Sequence, residues 1–97
     1  MSASPPVPGA PSSVGLDQLA RHAVATVVGM QAPAAEHDRE LVLRLLEIGF
    51  LPGERVRVIA HGYPGGEPVA VRLGHTTFAL RRHEAAFIRV VPEGRPA

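Results

Sequence analysis

The stretch LLEIGFLPGERVRV (Leu45–Val58) decides how this chain is read. Within a few residues it passes from an apolar helical pattern to a polar/apolar alternation, and glycine and proline mark the change. Gly49 stands just past the last periodic residue, Ile48. A residue without Cβ takes positive φ freely there, so the spacing predicts a helix that closes at Gly49, with Phe50 or Leu51 folding back on its last turn. Pro52-Gly53 then predicts a type II turn: proline sets the first central φ, and glycine accepts the left-handed second position. In RVRVIAH beyond it, Val56, Val58 and Ala60 are expected on one face and Arg55, Arg57, Ile59 and His61 on the other.

Upstream, the helix reads from Glu36 to Ile48. Glu36, Asp38 and Glu40 suit its positive N-terminal end. The capping residue is ambiguous, and Asp38 is a candidate that would shorten the helix. Leu41, Leu45 and Ile48 form the apolar stripe, widened by Val42 and Leu46. Leu43 breaks the pattern, lying on the side of Glu36, Glu40 and Glu47. Before the helix, HAVATVVGMQ (22–31) is rich in β-branched residues and reads as a first strand, with Gly29 at a bulge or close approach. Leu16 and Leu19, one turn apart, tuck under the domain. The opening MSASPPVPGAPSSVG has four prolines in its first eleven residues. It reads as a disordered or polyproline-like leader over residues 1–15, with PxxP spacings at Pro5–Pro8 and Pro8–Pro11.

Downstream, GYPGGEP (62–68) is a loop. VAVRL follows with Val69, Val71 and Leu73 inward, and a turn at Gly74-His75 leads to TTFAL, where Thr76, Phe78 and Leu80 share a face. RRHEAA reads as one 3₁₀-like turn and FIRVV as the last strand, giving a domain over 16–92 and a tail over 93–97. Connections this short exclude parallel crossovers. The expected fold class is mostly β: a small antiparallel barrel of about five strands, with one α-helix inserted between the first two.

Composition removes several function classes. Of 97 residues, ten are basic and nine acidic, for a net charge of +1. That argues neither for nucleic acid nor for an anionic membrane. The absence of cysteine excludes disulfides, thiolate nucleophiles and thiolate metal sites. No signal peptide or bilayer-spanning run is present, so a cytoplasmic location is expected. No nucleophile–base–orienter set, paired carboxylates or phosphate-binding glycine motif can be assembled, so no catalytic or cofactor-binding residue is named and the chain reads as a non-enzyme.

The histidines His22, His37, His61, His75 and His83 contain no i,i+4 pair and no HExxH. No metal ligand set follows from them. At most they allow weak Zn²⁺ or Fe²⁺ contact, including zinc held between two copies. Arg55, Arg57, Arg72 and Arg89 are expected on outward strand faces, extended by Arg81 and Arg82. One reading is a solvated face stitched to Glu54, Glu67 and Glu84; the other is a docking patch. Tyr63 is the single credible exposed aromatic.

Three segments form an ordered series: LLEIGFLPGERVRV, GGEPVAVRLGHTTFALR and HEAAFIRV. Together they resemble the A component of the bacterial ferrous iron uptake system, the FeoA family. Its pattern is Leu-x-x-x-Gly (Leu45–Gly49), Pro-Gly (Pro52-Gly53), Gly-Asp-Pro, Leu-Arg (Leu80-Arg81) and Glu-Ala-x-x-Ile-x-Val (Glu84–Val90). Two departures stand out: Glu67 replaces the usual aspartate between Gly66 and Pro68, and Arg21-His22 stands where the family commonly has Pro-Gly before its first strand.

The resemblance implies an SH3-like barrel and a non-catalytic accessory protein. That protein would bind and regulate the GTP-binding cytosolic part of a ferrous iron membrane transporter, as a monomer or weak dimer, without nucleic acid and without a required cofactor. The partner-contact residues expected on this reading are Leu43, Arg44, Arg57, Tyr63 and Arg72. The alternatives are a metal-responsive regulator module, related to the C-terminal domain of iron-dependent repressors, and a small nucleic-acid-binding barrel. The first requires a winged helix and a dimerisation domain, for which this chain has no room.

Overall fold

In the computed structural model, residues 12–93 are described; the PxxP spacings and the end of the tail lie outside them. The elements in chain order are β1 (Val14–Gly15), a 3₁₀ turn (Leu16–Gln18), β2 (Val24–Met30), α1 (Glu36–Ile48), β3 (Arg55–His61), β4 (Val69–Leu73), β5 (Thr76–Leu80), α2 (Arg82–Ala86) and β6 (Ile88–Pro92). The first paired strand thus begins two residues before Leu16.

The punctuation of the opening stretch has the predicted geometry. Gly49 sits at φ 127, and its N–H reaches the carbonyls of Leu45 and Leu46. Phe50 folds back so that its N–H donates to the Leu45 carbonyl at 3.1 Å, and its ring is fully buried. Burial on that scale contributes about 2–3 kcal/mol, and an edge-on contact with Phe78 at 5.7 Å fixes the ring's orientation. In the turn, Gly53 is at φ 96 and the Glu54 N–H closes onto the Leu51 carbonyl at 3.0 Å. At the other end of α1, Ala35 occupies the cap position without a side-chain bond, so Asp38 lies inside the helix.

The strands form one antiparallel sheet in the order β1-β6-β2-β3-β4-β5. Ala25, Val27, Val56, Val58, Val69, Val71, Ile88 and Val90 line its inner face, and Leu41, Val42 and Leu45 of α1 join the same core. Ile48, expected in the buried stripe, is 36% exposed. Two bulges interrupt the ladders, one at Val27/Gly29 between β2 and β6 and one at Val58/Ala60 between β3 and β4. The second places Ile59 out of register, so Ile59, Ala60 and His61 are all half-buried and strict alternation ends there.

The expected closed barrel of about five strands is corrected: the sheet has six strands and is open. Both edges of β6 are taken, by β1 and by β2, so β5 has no ladder to join there. The other candidate, β1, is two residues long. In place of a closing ladder, α2 packs against the 3₁₀ turn, β5 and β6, burying Leu16, Ala85 and Phe87.

That α2 is a helix is a second correction, because a 3₁₀-like turn was expected. Its N-terminal N–H groups are satisfied by two carboxylates: Glu84 accepts from the Arg81 N–H at 2.9 Å, and Glu67 from the Arg82 N–H at 3.0 Å. Such caps are what a short helix needs.

Candidate functional surface

Arg57 and Arg72 are brought together. They are opposed partners in the β3–β4 ladder, both exposed on the outer face, in a row that runs Val24–Arg57–Arg72–Thr77 across four strands. Val24, Arg55, Arg57, Ile59, Arg72 and Gly74 border an open hollow of about 380 Å³. Arg55, on the same strand, is engaged: it grips Glu93 with both arms, Nε at 3.0 Å and Nη2 at 2.9 Å. Arg89 does not extend this row. It lies on β6, beyond β2, and its Nη2 donates to the Ser13 carbonyl at 2.8 Å and its Nε to the Ser13 hydroxyl at 3.3 Å.

Leu43 and Arg44 lie on α1. Leu43 is 56% exposed, whereas the Arg44 guanidinium donates to Glu84 of α2 at 3.3 Å. Tyr63, in the loop between β3 and β4, is 96% exposed. The five expected contact residues are therefore distributed over α1, that loop and the outer sheet face, and only the arginine pair is a direct neighbourhood across strands.

Sequence reading missed a clasp between α1 and α2. His83 Nε2–H donates to Asp38 Oδ1 at 2.9 Å, the His37 ring reaches the same oxygen at 3.5 Å, and Arg44–Glu84 lies beside them. The His83 ring also meets Phe87 edge-on at 5.2 Å. Adjacent His-Asp and His-Glu pairs were visible in the sequence, but their partners stand 40 and 45 residues away. His61 is likewise structural, its Nε2–H donating to the Leu19 carbonyl at 2.8 Å. Among the described residues no three His, Asp or Glu side chains are placed to hold a metal ion. The Asp38 oxygen serves as a hydrogen-bond acceptor instead.

The six-stranded sheet with its inserted helix defines a small SH3-like protein. The FeoA domain model matches residues 14–92, and the chain belongs to the FeoA family. It is a non-catalytic accessory protein of ferrous iron transport. Among solved structures it is similar to FeoA of Stenotrophomonas maltophilia complexed with zinc, a prokaryotic SH3 domain protein. That match is 43% identical, covers 81% of this chain and 88% of that one, and has a TM-score of 0.67.

Iron(II) transport protein A of Clostridium thermocellum is 26% identical over 82% of this chain and 46% of that one, with a TM-score of 0.66. A manganese-dependent transcriptional repressor bound to manganese shares the fold at 20% identity and TM-score 0.69, over 93% of this chain and 38% of the repressor. No curated protein sequence matches the chain. The zinc of the Stenotrophomonas protein has no ready-made set of ligands among the described residues here. No helix among them is long and apolar enough to cross a membrane.

Proposed function

We propose that this chain binds and regulates the GTP-binding cytosolic part of a ferrous iron membrane transporter, from the cytoplasmic side, through a surface that includes Leu43, Arg44, Arg57, Tyr63 and Arg72. The observation that carries this reading is the FeoA match over residues 14–92. The exposed Tyr63 and the exposed Arg57 and Arg72 support it, since tyrosine and arginine are enriched where protein–protein contacts are strongest. Leu43 adds exposed apolar surface among charged neighbours. In this reading the protein needs no cofactor. Zn²⁺ or Fe²⁺ contact is weak and made through surface histidines such as His37 and His75, and the chain is a monomer or weak dimer.

Co-purification of the full chain with the cytosolic part of its cognate transporter is the test. A stable complex is expected. Absence of one, with both proteins folded, would sink the reading.

A further inference from the structure

Arg57 and Arg72 face each other across β3 and β4, and among the described residues neither forms an ion pair. Like charges directly opposite on neighbouring strands weaken a sheet. Arg55 and Arg44 each hold a carboxylate and Arg89 holds Ser13, so the opposed pair differs from the other strand and helix arginines just described. Val24 and Ile59, both half-buried, give the hollow beside the pair an apolar floor.

The missing charge is negative, and two forked guanidiniums side by side match carboxylates bidentately. A nucleic acid is poorly served, because Phe50 and Phe87 are buried, Phe78 packs against Phe50, and no aromatic borders the hollow.

We propose that the Arg57–Arg72 pair seats an acidic segment of the partner protein, with two carboxylates flanking an apolar side chain that rests on Val24 and Ile59. This rests on the transporter-contact reading and names the part of the surface that binds.

The test uses the full chain, its R57Q/R72Q variant and two probes. In the first arm, a peptide alternating glutamate and leucine is titrated while the arginine side-chain N–H signals are followed by NMR. Shifts confined to Arg57 and Arg72 are expected in the wild type, and backbone amide shifts of β3 and β4 on titration are expected to vanish in the variant. Shifts spread evenly over all arginines, or tighter binding of a single-stranded oligonucleotide at the pair, overturn the proposal.

In the second arm, the cytosolic part of the transporter is the probe. The variant is expected to bind at least about 10-fold more weakly and with less dependence on salt. Equal binding by wild type and variant overturns the arginine seat and leaves the transporter reading standing. Peptide binding at the pair without transporter binding does the reverse. Folding of the variant is checked in the same samples: relief of like-charge repulsion should raise its thermal midpoint by about 1–3 °C at low salt.

Discussion

His22 holds φ at 74, a left-handed value that costs a residue with a Cβ about 1–2 kcal/mol. It occupies the turn before β2, where the resembled pattern has Pro-Gly, so a side chain here holds a conformation that glycine would adopt freely. Its N–H still donates to the Val58 carbonyl at 2.7 Å. Replacing His22 with Gly should therefore stabilise the protein by roughly 0.5–1 kcal/mol after glycine's own entropic cost, read as a higher urea midpoint. Gly62 shows the opposite constraint. A Cβ there would run into the Glu67 backbone, so Gly62→Ala should cost about 1–3 kcal/mol in the same assay. Leu43, being largely exposed, should tolerate Ser with a stability change within about 0.5 kcal/mol while losing transporter binding. A large drop in thermal midpoint with binding intact would defeat its docking role.

The elements differ in how legible they were. Helix α1 was readable to its end because its stop signal is local: glycine's freedom at position 49 and the turn at Pro52-Gly53 act within a few bonds. Helix α2 was not, because apart from the local Glu84 cap its stabilising groups come from elsewhere in the chain. Glu67, 15 residues upstream, caps the Arg82 N–H, and Asp38 and Arg44 reach it from α1. Glu67→Ala should loosen α2 by about 1 kcal/mol, seen as faster amide hydrogen exchange over residues 82–86 with β2 and β3 unaffected. On β3 the alternation held through Val58 and failed at Ile59, since a bulge is a property of two strands and leaves little mark on one.

At the scale of the molecule, the sheet stays open because β6 lies between β1 and β2, leaving β5 as an edge that α2 helps to cover. The short β1 adds to the fold chiefly through its ladder to β6 and the neighbouring Ser13 contacts with Arg89. A chain starting at Leu16 should thus melt below one starting at Ser12, by calorimetry, and equal midpoints would show β1 to be dispensable.

Two of the expected contact residues, Arg57 and Arg72, meet only because β3 and β4 pair in this register. The sequence placed each on an outward face but could not say that they oppose one another. Helix stop, turn and strand alternation follow from the residues alone, because backbone sterics and side-chain periodicity act over a few positions. Openness of the sheet, the α1–α2 clasp and the unpaired guanidiniums were decided in three dimensions, where strands compete for a limited number of edges and distant side chains find their partners.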